Sequence, residues 1–142
     1  MKQEGSPGSF AYELLSASGK ITDRLEAALD PLGLSLAKFG ALSKMVAAKE
    51  PLPLSTLAER CACVRSNITQ LVDRLEADGL VTRADDPHDR RSILAGLTDE
   101  GRRKQAAGAR AIEKVERDLL ASLPQASQDS LLQLLRSLHL PS

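Results

Sequence analysis

The sequence is poor in aromatic side chains and has no excess of charge of either sign. Aromatic residues make up 2% of the 142 residues, and tryptophan is absent. The core must therefore consist mainly of Leu, Ala, Val and Ile, and a core rich in Leu and Ala favours helices. Lys plus Arg equals Asp plus Glu at 19 each, so the net charge is zero. Because nucleic-acid binders are often basic overall, any DNA-binding surface of this chain must be a local cluster of basic side chains.

The sequence also lacks the features of membrane proteins and of secreted, disulfide-rich proteins. No window holds about 18 consecutive apolar residues, which a membrane span requires. The stretch 1–9 has no apolar signal core, and we expect it to be a disordered tail. The two cysteines, Cys61 and Cys63, do not make a disulfide framework. We therefore predict a single-domain cytoplasmic protein.

Signals of catalysis and of cofactor binding are missing as well. His88 and His139 are the two histidines available as bases, one in a polar segment and one near the chain end. The sequence contains no Gly-rich phosphate loop, no metal-protease helix motif and no nucleophile elbow. Because catalysis needs a nucleophile, a base and an orienting group in one pocket, we predict neither an enzyme nor a cofactor.

The spacing of apolar residues predicts the elements of the first half. Residues 10–30 and 34–48 have helical spacing, with Ser35 as the N-cap of the second helix. The following segment, 50–53, contains two prolines and is predicted to be an extended link.

The next segment has the pattern of a helix-turn-helix. Ser55 is predicted to cap a short helix over 56–61, with Glu59 as its capping-box partner. A tight turn leads to a helix over 65–77, which ends before Gly79 because glycine suits the left-handed position after a helix.

A β-hairpin follows directly. The predicted strands are 80–83 and 92–97, joined by a polar loop over 85–91. A helix-turn-helix followed by a hairpin is the winged-helix arrangement. We therefore predict a mainly α fold with a small β-hairpin wing (an α/β winged helix-turn-helix).

Two helices are predicted to end the chain. Thr98 caps the first, which reaches about residue 123 and has acidic residues at its positive end. Pro124 stops it, and Ser127 caps the last helix, which carries several leucines.

The helix over 65–77 has one apolar and one polar face. The apolar stripe, at i, i+3, i+4 and i+7, consists of Ile68, Leu71, Val72 and Leu75. The other side holds hydroxyls, amides and arginines, which can read base edges or grip phosphates in a major groove. The expected DNA-contacting residues are Arg65, Ser66, Asn67, Thr69, Gln70, Asp73 and Arg74. An ordinary solvated face is the alternative, but the turn before the helix and the hairpin after it favour DNA binding.

The tip of the hairpin is a candidate DNA-contacting wing. It offers His88, Arg90 and Arg91 beside two aspartates, and an arginine can enter the narrow minor groove. We expect Asp89 to hold one arginine by a charge-assisted hydrogen bond. A generic charged turn is the alternative interpretation. Phosphate contacts are expected from the short helix, through Ser55, Thr56 and Arg60.

The charges of the helix-turn-helix and hairpin are balanced. Between Ser55 and Arg103 the chain has eight basic residues, all arginine, and nine acidic residues. The binding surface must therefore segregate the two signs. We expect tight operator binding only by a dimer, with a clear salt dependence.

Specific motifs in this region resemble the MarR family of transcription regulators. They are Leu57-Ala58-Glu59-Arg60, Arg65 through Glu76, Gly79-Leu80-Val81, Asp86 through Arg91, and Leu97-Thr98 with Gly101. The similarity runs from about residue 32 to residue 101, and the flanking helices agree in length and order. The resemblance implies an intertwined homodimer, formed through the N- and C-terminal helices, on a palindromic duplex operator. It also implies that Arg91, alone or with Arg90, enters the minor groove with Asp89 as its support.

The same resemblance implies a division of the chain and an effector. Residues 10–33 and 101–142 would be the dimerisation helices, and residues 34–100 the DNA-binding lobe. Such proteins usually repress, and many release DNA when a small phenolic or other lipophilic effector binds between these parts. The candidate pocket residues are Tyr12, Arg24, Phe39 and Met45, for each of which a plain core or surface role is the alternative.

The turn Cys61-Ala62-Cys63-Val64 departs from the Leu-Gly-Val-Ser run of many relatives. Val64 replaces the usual capping hydroxyl, and Ser66 is a substitute cap. Burial is the first interpretation of the two cysteines, a redox-sensing thiolate the second, and metal binding a weak third. The first helix lacks the cysteine of the family's organic-hydroperoxide sensors. The alternative functions are a thiol-based redox regulator, which would use Cys61 and Cys63, and a winged-helix protein-interaction module.

Overall fold

The computed structural model describes residues 8–62 and 65–138, without the side chains of Arg65 and Ser66. Outside the described residues lie 1–7 of the predicted tail, the second half of the unusual turn and His139. The predicted tail ended at residue 9, but Ser9 already belongs to the first helix. The elements in chain order are α1 (Ser9–Leu29), a 3-10 turn (Asp30–Leu32), α2 (Leu36–Ala48), β1 (Leu52–Pro53), α3 (Leu54–Arg60), α4 (Arg65–Ala77), β2 (Val81–Asp86), β3 (Asp89–Leu97), α5 (Asp99–Leu120) and α6 (Gln125–Ser137). The predicted order of helix-turn-helix, hairpin and two closing helices is confirmed.

Two predicted helix caps are present. The side chain of Ser35 accepts a hydrogen bond from the backbone N–H of Lys38 at 3.1 Å, and that of Thr98 accepts one from Gly101 at 3.0 Å. Each cap satisfies one of the N–H groups that the first turn leaves unpaired. At the other end of α4, Gly79 has a φ of 77°, the left-handed conformation predicted for it.

Two other predicted caps are wrong. Ser55 lies inside α3, because the N-cap is Pro53, and Ser127 lies inside α6, because the N-cap there is Pro124. Neither N-cap side chain forms a capping hydrogen bond, so the capping box expected with Glu59 is not formed either. Proline fixes φ near the value that a helix start needs, and it therefore begins both helices earlier than the hydroxyl residues would. The helix before Pro124 ends at Leu120 rather than near residue 123.

The sheet has three strands rather than the two predicted. Their order is β1-β3-β2, and β1 pairs antiparallel with β3 through Leu52 opposite Ala95 and Pro53 opposite Leu94. The segment predicted as an extended link is thus an edge strand, where proline is tolerated because one side needs no ladder hydrogen bond. The hairpin is also longer than predicted, since β2 extends to Asp86 and β3 begins at Asp89, within the expected polar loop over 85–91.

The core lies between the helix-turn-helix, α2 and the sheet. Its largest fully buried side chains are Leu29, Leu42, Leu57, Ile68, Val72, Leu75 and Val81. They are aliphatic, as the scarcity of aromatic residues requires.

Two glycines of α5 let this helix approach the rest of the core closely. A Cβ on Gly101 would collide with the backbone carbonyl of Leu80, and one on Gly108 would come within 2.7 Å of the ring of Phe39. The first half of α5 is therefore fixed against both the sheet and α2.

The outermost helices expose apolar side chains. In α1 these are Phe10, Tyr12, Leu14, Leu15 and Ile21, and in and after α6 they are Leu131, Leu132, Leu134, Leu135 and Leu138. In α6 every residue except Gln128 is exposed. Within the described ranges, no helix is both long enough and apolar enough to cross a membrane.

Candidate nucleic-acid interface

Helix α4 presents a polar face to solvent, as predicted. Ile68, Val72 and Leu75 are fully buried, and Leu71 is half-buried beside them. The opposite side exposes Asn67, Thr69, Gln70 and Arg74. The amphipathic pattern thus orients α4 with its amide, hydroxyl and guanidinium groups outward.

The acidic residues of α4 and of the turn after it are ion-paired with other elements. Arg83 of β2 contacts Asp73 at 2.6 Å and Glu76 at 2.9 Å, and Lys38 of α2 contacts Asp78 at 2.8 Å. Asp73, expected among the DNA-reading side chains, is therefore engaged with the sheet. These pairs provide the segregation of charge that the balanced composition requires.

The Arg83–Glu76 pair shifts the pKa of both groups. The hydrogen bond from the Arg83 guanidinium lowers the pKa of Glu76 below its ordinary value of 4.5. The same hydrogen bond raises the pKa of Arg83. Both shifts favour the charged forms, so the pair persists at neutral pH.

The wing carries its two arginines in an irregular segment. Pairing between β2 and β3 is regular from Val81 opposite Leu97 to Asp85 opposite Ile93, and then moves to Asp86 opposite Asp89. The ladder therefore skips residues 90–92, which include Arg90 and Arg91. Such a bulge bends the strand and redirects its side chains.

Two aspartates of the wing accept backbone hydrogen bonds. Asp86 Oδ1 accepts the N–H of His88, and Asp89 Oδ1 accepts the N–H of Arg91, each at 2.9 Å. Asp89 was expected to hold an arginine side chain, but among the described residues it accepts its hydrogen bond from the backbone N–H of Arg91 and not from a guanidinium. The carboxylate stabilises the turn itself and leaves Arg90 and Arg91 exposed.

A cleft separates the helix-turn-helix from the wing. It is lined by Leu54, Ser55, Thr69, Arg83, Asp89, Arg91, Ser92 and Ile93. Predicted contacts from three elements thus meet here: Ser55 of α3, Thr69 of α4 and Arg91 of the wing. Thr56 is half-buried and Arg60 is exposed at the far end of α3, so neither lines the cleft.

The four candidate effector residues differ in position and burial. Tyr12 and Arg24 are exposed on α1, and Met45 belongs to the core at 3% exposure. Phe39 is half-buried against Gly108. A separate depression lies along α5 and is lined by Leu32, Glu100, Arg103, Lys104, Ala106, Ala107 and Arg110.

The described cysteine lies beside the helix-turn-helix turn. Cys61 is half-buried at the end of α3, and its N–H donates to Leu57 O at 2.9 Å. Cys63 and the side chain of Ser66 lie outside the described residues. Among the side chains that the structure describes, no group of three His, Cys, Asp or Glu is placed to hold a metal ion.

Comparison with known proteins identifies the fold and the family. The model of the MarR family matches residues 34–93, and CouR bound to a 23-mer DNA duplex superposes with a TM-score of 0.84 at 27% identity, over 96% of each chain. Residues 34–93 are therefore similar in sequence to the MarR family of transcription regulators. The mainly helical winged-helix fold is thereby confirmed, as is the prediction that the chain is not an enzyme.

Other transcription regulators match parts or all of the chain. CouR from Rhodococcus jostii RHA1 bound to p-coumaroyl-CoA has a TM-score of 0.80 and 27% identity, over 99% of this chain and 98% of that one. HosA of Escherichia coli O111:H- is 29% identical over 69% of this chain and 73% of its own length. YkoM of Bacillus subtilis (strain 168) is 35% identical over 49% of this chain. The chain spans 44% of the length of YkoM.

The ion pairs of Arg83 with Asp73 and Glu76 were not predicted from the sequence. The signal was present, because Arg83 lies two residues after the buried Val81 and therefore on the same face of β2. An arginine at such a position needs a counter-charge, and Asp73 and Glu76 lie one turn apart on the preceding helix.

Proposed function

We propose that this MarR-type protein is a repressor that binds a palindromic operator as a homodimer. The single observation that carries the proposal is the cleft that has Thr69 of α4 on one side and Arg91 of the wing on the other. The exposed face of α4 suits the major groove, where amides and arginines read base edges. The exposed wing arginines suit the adjacent minor groove or its phosphates.

Dimerisation is supported by the exposed apolar side chains of α1 and α6. Helix α6 carries Leu131, Leu132 and Leu135 at 42%, 49% and 46% exposure. A helix of this length is marginal in water without tertiary packing, and contiguous exposed apolar surface marks an interaction site. A second copy of the chain would cover both helices and present two recognition helices to two half-sites.

Release by an effector completes the proposed function. CouR, which has the same fold, has been crystallised with p-coumaroyl-CoA. We infer that a small lipophilic or phenolic compound, free or as a thioester, binds this protein between the dimerisation helices and the DNA-binding lobe. Its binding would favour an arrangement of the two lobes that no longer fits the operator.

The test is a selection of bound fragments from genomic DNA, followed by affinity measurements on the recovered duplex. We expect the recovered duplex to contain a palindromic sequence, and we expect the bound fraction to increase with the concentration of protein dimer. Gln70→Ala and Arg91→Ala should each weaken binding by roughly 5- to 150-fold, the equivalent of about 1–3 kcal/mol. Arg110→Ala, which removes an exposed arginine of α5, is the matched control and should have little effect. If the wild-type protein showed no preference for any duplex over random DNA, the proposed function would be wrong.

A further inference from the structure

Arg83 of β2 joins α4 to the hairpin that forms the wing. Its Nη1 contacts Asp73 Oδ1 at 2.6 Å, and its Nη2 contacts Glu76 Oε1 at 2.9 Å. Asp73 and Glu76 are three residues apart and therefore lie on the same side of α4. Because the guanidinium is planar and both of its ends are held, this link restricts the orientation of α4 relative to β2 more than a single ion pair would.

The ion pairs of Arg83 lie at the boundary between the core and the cleft. Across the sheet, Arg83 is opposite Ala95, and Ala95 is opposite Leu52. Residues directly opposite each other share a face of the sheet, and both Ala95 and Leu52 are buried. Arg83 therefore extends from the core-facing side of the sheet, and its side chain is 29% exposed.

Arg83 also lines the cleft between the two DNA-contacting elements. Thr69 of α4 and Arg91 of the wing line the same cleft. A duplex can contact both sides at once only if their separation and angle match the spacing of its grooves. The one described side chain that connects α4 and β2 by ion pairs is Arg83.

We propose that Arg83 is a positioning residue for DNA recognition, which holds the wing and α4 at the relative orientation that one duplex can contact. This inference rests on the proposed function. Arg83 acts here through Asp73 and Glu76 rather than by contacting DNA.

The decisive variant is Asp73→Asn combined with Glu76→Gln. It retains Arg83, breaks its link to α4 and removes two negative charges beside the DNA-binding face. If Arg83 contacted phosphate directly, this variant would bind every duplex more tightly. If Arg83 positions the wing, affinity for the selected operator falls about tenfold, while affinity for random duplex stays equal or rises. The ratio of specific to random binding thus separates the two roles.

Two substitutions of Arg83 itself provide independent readouts. Arg83→Gln should lower the ratio about tenfold without changing the dependence of affinity on salt, whereas loss of a phosphate contact would lower the salt slope by about one. Arg83→Lys keeps the charge but cannot hold two carboxylates in a fork, so it should restore only part of the ratio. Glu59→Gln, which removes an exposed carboxylate of α3, is the charge control and should leave the ratio unchanged.

The outcomes distinguish this inference from the proposed function. Circular dichroism and thermal unfolding establish whether each variant is folded. If the double variant is unfolded, the test uses Arg83→Lys instead. In one outcome, the wild-type protein prefers the selected duplex, and Asp73→Asn/Glu76→Gln and Arg83→Gln both retain that preference. This result would overturn the role of Arg83 and leave the proposed function standing. Absence of that preference in the wild-type protein would overturn the proposed function instead.

Discussion

The ring of Phe39 lies against Gly108, so that a Cβ at Gly108 would come within 2.7 Å of the ring and 3.2 Å of Leu34. Phe39 belongs to α2, and Gly108 belongs to α5. The contact therefore limits how far apart α2 and the long helix α5 lie. The absence of a side chain at Gly108 is a packing requirement, since its backbone is helical.

Gly108→Ala should accordingly destabilise the protein. The added methyl group forces Phe39 or α5 to move, and overpacking of this kind costs about 1–3 kcal/mol. Urea unfolding measures the change. Gly40→Ala is the matched control, because nothing lies within 4 Å of a Cβ at that helical position. It should raise stability by up to about 1 kcal/mol, through the higher helix propensity of alanine. Equal effects of the two substitutions would contradict the packing argument.

Ala62→Gly should stabilise the fold. Ala62 has a φ of 53° in the turn between α3 and α4, a left-handed conformation that costs an L-residue about 1–2 kcal/mol. Glycine removes that strain but adds chain entropy worth roughly 0.5–1 kcal/mol, so the net gain should be about 0.5–1 kcal/mol. Ala47→Gly, at an exposed position of α2, should change stability in the opposite direction. Thermal unfolding of the two variants checks the signs.

The stability contributed by the Arg83–Glu76 pair should disappear in acid. The pKa of Glu76 is lowered in the folded state, first by its hydrogen bond with Arg83. A lowered folded-state pKa means that the contribution is complete above the unfolded value near 4.5 and is lost as the pH falls through the folded value. The difference in stability between wild type and Glu76→Gln should therefore be constant from neutral pH down to about 5 and shrink below 4.5.

A double-mutant cycle identifies the partner in this pH effect. When Arg83→Gln is already present, adding Glu76→Gln should no longer produce the same pH-dependent difference. Persistence of the full difference without Arg83 would show that another group lowers the pKa of Glu76.

Leu135→Glu should convert the proposed homodimer into monomers. Leu135 is 46% exposed on α6, and a charge at the centre of an apolar interface is left unpaired and desolvated. Light scattering after size-exclusion chromatography measures the oligomeric state, and operator affinity should fall together with dimer formation. Gln133→Glu introduces the same charge at an exposed polar position of the same helix and should leave the dimer intact. A dimer that survives Leu135→Glu would place the interface elsewhere.

The elements and the exposed face of α4 could be predicted from the sequence because they depend on neighbours along the chain. The spacing of Ile68, Val72 and Leu75 determines which side of α4 is buried, whatever it packs against. Ser35 and Thr98 cap the helices that begin next to them, and Gly79 ends α4 by its own backbone freedom. At the start of α3, both Pro53 and Ser55 are plausible N-cap residues, and the sequence pattern does not show which of them begins the helix.

Only the tertiary structure determined how these elements are joined. The pairing of Leu52 with Ala95 makes a proline-containing link into a third strand, and strand pairing across such a distance leaves no local periodicity. The register of β2 and β3 places Arg90 and Arg91 in a bulge, and the packing of α4 on the sheet brings Asp73 to Arg83. The winged-helix order and the resemblance to the MarR family could be predicted from local patterns and motifs. Whether a charged residue faces solvent or an ion-pair partner depends on residues distant in the chain, so the balanced charges acquired their arrangement only in the folded protein.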